Sequence, residues 1–287
     1  MTTPHPPITA RPEVHGHRGC RGLLPENILP AFRRALELGV DALELDVVVS
    51  QDGQLVVSHE PWLAAKLGRG PQGERIDPAR ERSYNLYQMP YAAIAQCPVG
   101  EWPHPDFPSQ QPMLSRRPLL TEVLHQAEIW CQQLGRPTVH YSVEVKSSPE
   151  GDGTFHPAPA VFVDLVVAAL QAAGVAARTT LLSFDPRVLQ AARLAKPDLA
   201  LCLLIEDYLP PITELFAGLG FESTVLGADF HLLSAATIAA IRAIYPTLRL
   251  VPWTVNSPDE LQLVHSWGVD GITTDYPDRL LALLSPV

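Results

Sequence analysis

Short apolar runs alternate with amphipathic stretches along most of the chain. Strand-like segments occur at 14–17 (VHGH), 42–47 (ALELDV), 141–145 (YSVEV), 179–184 (TTLLSF), 199–204 (LALCLL), 224–229 (TVLGAD), 249–255 (RLVPWTV) and 270–274 (DGITT). Between most of them lie segments such as 29–39, 159–174 and 234–245, with apolar residues three and four apart, the spacing of a helix with one buried face. Eight strands joined by helical crossovers predict an α/β fold, a (β/α)8 TIM barrel. A doubly wound open sheet is the structural alternative, because alternation alone does not show closure.

Two interruptions modify this pattern. The run LVVSH at 55–59 follows ALELDVVV after only SQDGQ, too short for a parallel crossover, and its Asp52-Gly53 pair predicts a hairpin beyond strand 2. That return carries His59 back toward the C-terminal ends of the strands, where barrel active sites lie. Residues 60–118 contain ten prolines and two tryptophans with little periodicity, and read as an insertion, with a short helix expected within 84–97. Proline-rich residues 1–13 are expected to form a flexible tail, and 14–287 a single barrel domain that includes the insertion.

Composition narrows the function. The formal net charge is -10, which disfavours a nucleic-acid footprint, so an anionic small-molecule ligand requires local basic groups. No apolar run is long enough to cross a bilayer and no signal-peptide pattern opens the chain, so a cytoplasmic location is expected. The four cysteines are widely spaced and read as free thiols, with a minor chemical possibility at Cys20, two residues after Arg18.

Alternation along 42–47 places Glu44 and Asp46 on one face, where paired carboxylates are costly unless a cation lies between them; oxygen ligands of this type suit Mg2+ or Ca2+. A solvated strand edge is the plainer reading. Glu144 and Lys146 share a face of another strand, either as a simple ion pair or as a third metal carboxylate with a phosphate contact. His17 and His59, at two strand ends, suit acid and base work near neutral pH. Arg18 offers a forked donor to phosphate, or a salt bridge to Glu26. His15 reads as a hydrogen-bonded residue one layer deeper, Trp253 as a core residue or a flat substrate wall, Asn27 as the cap of the first helix and Asp275 as the cap of the last.

Taken in order, HRG, PEN, ELDV, QDG, VVSH, EVK, SF, WTVN and GVDGITTDYPD resemble the glycerophosphodiester phosphodiesterase family from residue 14 to about 280. The resemblance implies a TIM barrel that uses a divalent cation to hydrolyse glycerophosphodiesters to glycerol 3-phosphate and an alcohol. It implies that Glu44, Asp46 and Glu144 hold the metal, that His17 and His59 form the acid/base pair, that Arg18 and Lys146 contact phosphate, and that Trp253 lines the glycerol side. PENI in place of PENT and HEP in place of HD are departures. Two other readings are a related barrel phosphodiesterase acting on lysophospholipids or phosphoinositides, which an apolar patch around Trp62 and Trp102 would favour, and a catalytically silent barrel that binds a phosphorylated ligand.

Overall fold

The computed structural model describes residues 11–285. Most of the expected tail, residues 1–10, lies outside the described residues, and the first strand starts at Glu13, one residue earlier than the sequence pattern indicates.

Among the described residues eight parallel strands run in the order expected of a barrel: β1 (Glu13–Gly16), β2 (Ala42–Val49), β4 (His140–Val145), β5 (Thr179–Ser183), β6 (Ala200–Ile205), β7 (Val225–Ala228), β8 (Arg249–Leu250) and β9 (Gly271–Thr274). The remaining strand, β3 (Leu55–Val57), pairs antiparallel with β2, so the SQDGQ link does turn a hairpin. Gly53 sits in that turn at φ 74°, where a side chain would be strained. Last and first strands meet, β9 pairing with β1 through Val14–Ile272 and His15–Thr273.

Strand eight departs most from the sequence pattern: of 249–255, only two residues form a regular ladder. Pro252 has no N–H to donate, which interrupts the pairing. The barrel wall nevertheless continues, because Val251 and Trp253 donate to Leu226 and Ala228 on one side (3.0 and 3.1 Å). On the other side Val255 N–H donates to Thr273 and Thr273 N–H to Pro252, both at 3.0 Å.

Helices α1 (Leu29–Leu38), α3 (Leu120–Gln133), α4 (Pro159–Ala172), α5 (Pro186–Ala195), α6 (Ile212–Leu219), α7 (Ala235–Ile244), α8 (Pro258–Ser266) and α9 (Pro277–Leu284) connect the strands. Their buried faces, such as Ala31, Phe32, Ala35 and Leu36 of α1, join the strand valines and leucines in one extended core. A satellite core of Val48, Val56, Leu63, Ile76, Leu86, Ile94 and Cys97 lies under the 60–118 segment. That segment contains one α-helical turn, α2 (Tyr91–Ile94), inside the expected 84–97 range.

Candidate active site at the barrel mouth

The chain leaves β1 through a turn that places its polar groups at the C-terminal rim. Arg18 and Gly19 both take positive φ (49° and 89°), and a Cβ on Gly19 would meet the backbone of Ala31 at 2.8 Å, so only glycine lets α1 pack this closely. The turn points His17, Arg18 and Arg21 into a cavity of about 450 Å³ inside the barrel. Glu44, His59, Glu144, Lys146 and Trp253 line the same cavity. Asp46 lies beneath them, fully buried and bonded to Arg18 and Asn27.

Three carboxylates converge. One oxygen each of Glu44, Asp46 and Glu144 lies within 4.8 Å of the others, and all three residues are buried. Burial, reinforced by Asp46 and Glu144, pushes the Glu44 carboxyl well above the usual carboxylate range. Burial also raises Glu144, against the pull of Lys146. For Asp46 burial is outweighed by Arg18, His59 and Lys146, which hold its carboxyl low. Asp46 Oδ1 is buried with no hydrogen-bond donor. An oxygen without a donor beside two carboxylates that resist ionisation is the environment a hard divalent cation relieves, so these residues fit such an ion.

Around the carboxylates stand the cations. Arg18 Nη1 donates to Glu26 (2.9 Å), its Nε lies 3.2 Å from Asp46, and its backbone N–H donates to Glu44 (2.8 Å). Lys146 Nζ donates to Glu144 (2.6 Å) and lies 3.7 Å from Asp46. Both ion pairs weighed from the sequence therefore exist, and neither is on an outer edge: Arg18, Glu144 and Lys146 line the cavity and Glu26 is buried.

His17 Nδ1 lies 2.7 Å from Asp275 Oδ1, while Nε2 lies 3.9 Å from Glu44. Burial lowers the His17 pKa to about 4 against the opposing pull of Asp275, so the ring is neutral near pH 7. Burial opposes ionisation of Asp275, but His17 and Arg21 hold its carboxyl well below the usual range, so the acceptor in this pair is a carboxylate and Nδ1 carries the proton. That leaves the Nε2 lone pair facing the cavity. His59, half-buried at the end of the hairpin, is held through Nδ1 by Glu60 Oε1 at 2.9 Å, so the longer acid of the HEP sequence orients the ring.

Two capping expectations need correction. Asp275 does not cap α9, whose N-cap is Tyr276; it accepts from Arg21 (2.8 and 3.0 Å) and Asn256 (2.8 Å) as well as His17. Asn27 does not cap α1 either: Ile28 is the N-cap, and the Asn27 amide donates to Asp46 at 2.8 Å. The Cys20 thiol is buried against Ala31 and pushed up to about 12, so its thiolate is suppressed. His15 is a buried residue bonded to Glu13 and Ser142. Trp253 Nε1 donates to Gly227 (2.9 Å) and its ring meets Phe184 edge-on, forming a flat wall of the cavity. Trp62 and Trp102 each carry an arginine over the ring, Arg82 and Arg75, so the indoles do not form a bare apolar patch.

Sequence reasoning missed the supporting roles of Arg21, Asn27, Asn256 and Asp275. The available signal was their clustering in the HRGCRG, PEN, WTVN and TDYPD segments, but only closure of the sheet makes residues 17, 256 and 275 neighbours.

A closed barrel that gathers carboxylates, imidazoles and paired cations at the C-terminal ends of its strands is equipped for phosphoester hydrolysis. The chain belongs to the glycerophosphoryl diester phosphodiesterase family, which residues 17–279 match, and is a phosphoric diester hydrolase. A glycerophosphodiester phosphodiesterase of Bacillus altitudinis is 26% identical over 274 residues, covering 94% of this chain and 97% of that protein. The crystal structure of a Silicibacter pomeroyi protein assigned to the same family superposes with a TM-score of 0.82 at 31% identity, covering 96% of this chain and 95% of that one. An Oleispira antarctica phosphodiesterase, solved with the product sn-glycerol-3-phosphate, shares the fold with a TM-score of 0.72 at 20% identity, covering 95% of this chain and 96% of that one.

Proposed function

We propose that the barrel mouth hydrolyses glycerophosphodiesters to glycerol 3-phosphate and an alcohol, with Glu44, Asp46 and Glu144 holding Mg2+ or Ca2+. The observation that carries this reading is the convergence of those carboxylates at one cavity, Glu44 and Glu144 in its wall and Asp46 buried beside them, next to a neutral His17 whose proton position Asp275 fixes. The cation, when bound, supplies positive charge that offsets the charge building on the phosphoryl oxygens.

The side chains supply the rest. Arg18 and Lys146 orient the phosphodiester, and Trp253 with Phe184 forms an apolar wall for the glycerol skeleton. His17 is the general base, because its Nε2 lone pair faces the cavity while Nδ1–H is committed to Asp275. A water that attacks directly presents its proton to that nitrogen; where the substrate's own glycerol hydroxyl attacks first, it gives up its proton there, and a second attack by water then opens the resulting cyclic phosphate to glycerol 3-phosphate. His59, on the more open hairpin end, protonates the departing alkoxide.

Incubation with a panel of glycerophosphodiester headgroups and each of Mg2+, Ca2+ and Mn2+ is expected to release glycerol 3-phosphate, with chelator abolishing turnover. Absence of product with every headgroup and metal would overturn the proposal. Glu144→Gln should weaken Mg2+ or Ca2+ binding in a calorimetric titration by roughly tenfold or more, and unchanged affinity would remove Glu144 from the ligand set. We also place the protein in the cytoplasm: its four free, buried thiols suit a reducing compartment, and cell fractionation checks this. No described helix is long and apolar enough to cross a membrane.

A further inference from the structure

Behind the catalytic side chains lies a second, much smaller cavity of about 20 Å³, lined by Glu26, Asn27, Ser58, His59, Gly100 and Arg117 among others. Arg117 comes from the far end of the 60–118 segment, which runs alongside β3 because Val57 N–H donates to Pro118 at 2.8 Å. Its guanidinium is buried, and among the described residues it forms no salt bridge. Both Nη1 and Nη2 lack hydrogen-bond partners. Two other residues lining this cavity also hold buried oxygens without a hydrogen-bond partner among the described residues: Glu26 Oε2, which lies 3.8 Å from Arg21 Nη1, and Asn27 Oδ1. Two donor nitrogens and two acceptor oxygens, none with a hydrogen bond among the described residues, therefore belong to residues around a space that holds about one water.

We infer that this cavity binds one structural water that links the Arg117 guanidinium to the Glu26 carboxylate and the Asn27 carbonyl, making Arg117 a positioning residue for both halves of the active site. A water can accept one N–H from each Nη of Arg117 while donating to both Glu26 and Asn27, so each of the four atoms gains a partner from a single molecule. Chloride fits less well, because a carboxylate and an amide oxygen face the same space. The link reaches the phosphate-binding arginine, since Glu26 accepts from Arg18 at 2.9 Å, and it reaches Asp46 through the Asn27 amide.

On its other side Arg117 Nε donates to Ser58 Oγ at 3.4 Å, and Ser58 Oγ donates to the Glu60 carbonyl at 2.9 Å. The Glu60 side chain in turn orients His59. Arg117 thus lies between the turn that presents Arg18 and the hairpin end that presents His59, touching neither reacting group. Burial lowers its pKa to about 10, against the pull of Cys97 and Glu26, so it remains a cation near neutral pH. Glu26 is pushed up by burial yet held down to about 2 by Arg18 and Arg21, so the water meets a carboxylate.

The kinetic consequence rests on the phosphodiesterase reading, whereas the water does not. A crystal structure of the full chain at a resolution that shows solvent should reveal one ordered water within hydrogen-bond distance of an Arg117 Nη atom and Glu26 Oε2. No density there, or anomalous signal from bromide replacing chloride, would overturn the assignment even if the enzyme turns over normally.

In steady-state assays, Arg117→Met should raise KM about tenfold with less than a threefold change in kcat, because Arg18 loses its alignment toward bound phosphate. Arg117→Lys, which keeps charge and donors, should recover most of that loss. The Arg117→Met/Glu26→Gln double variant should have a KM no more than twofold above that of the poorer single variant, since Arg117 reaches Arg18 through Glu26. A folded Arg117→Met enzyme with wild-type KM, or multiplicative losses in the double variant, would refute the positioning role. Should Arg117→Met fail to fold, the Arg117→Lys kinetics and the solvent density decide.

Discussion

Asp275 accepts from His17, Arg21 and Asn256 and is fully buried, so one carboxylate fixes an imidazole tautomer and neutralises an arginine beside it. An asparagine in its place would keep the volume but offer an N–H where His17 needs an acceptor, favouring the wrong tautomer. Asp275→Asn is therefore expected to lower kcat about 10²- to 10⁴-fold while circular dichroism stays native, in line with the loss seen when a buried aspartate behind a catalytic histidine is amidated. Activity within a few-fold of wild type would show that Asp275 is only structural. From the sequence, Asp before Tyr-Pro read as a helix cap, because local pattern reports local partners. His17 lies 258 positions away, and no local signal links the two. Glu44, Asp46 and Glu144 were legible for the opposite reason: alternation within a strand fixes which residues share a face.

The same contrast holds for elements. The β2–β3 hairpin was evident because five residues with an Asp-Gly turn permit nothing longer, and eight strands were recognisable by their valines and leucines. The seam between β8 and β9 was not, since Pro252 removes a ladder donor and side chains take over part of the joining. Asp270 does much of this: its Oδ2 accepts from Leu250 N–H at 2.7 Å and from Arg242 at 3.0 Å. Asp270→Ala leaves that strand donor unmatched and should destabilise the barrel by roughly 1–3 kcal/mol, read as a lower denaturation midpoint at unchanged m. An unchanged midpoint would mean that backbone pairing alone closes the seam. The 60–118 segment remained illegible because its order comes from a satellite core and irregular turns, which leave no period in the sequence.

Across the whole molecule, acidic excess leaves the net charge at -10, yet individual acids are tied into the barrel at both ends. At the end opposite the active site, Glu13 of β1 contacts His15 at 3.1 Å and Arg249 of β8 at 2.6 Å. Burial pushes the Glu13 carboxyl up, but His15 and Arg249 overcome this and lower it from 4.5 to about 2. A folded-state value below the unfolded one stabilises above pH 4.5, and the contribution is lost as pH falls toward 2. Glu13→Gln is accordingly expected to cost about 1–2 kcal/mol at pH 7, allowing for solvent screening, and to flatten the fall in melting temperature between pH 4.5 and 2. An equally steep acid limb in the variant would assign the loss to other carboxylates.

Because His17 depends on Asp275, 258 positions later, and Asp275 on Asn256, the ribosome must deliver the chain through residue 275 before the proposed base acquires its support. A nascent chain that stops before residue 275 can collapse around its early strands and still lack this support, so the site matures only once β9 and the residue after it have been made, later than the first folded intermediate.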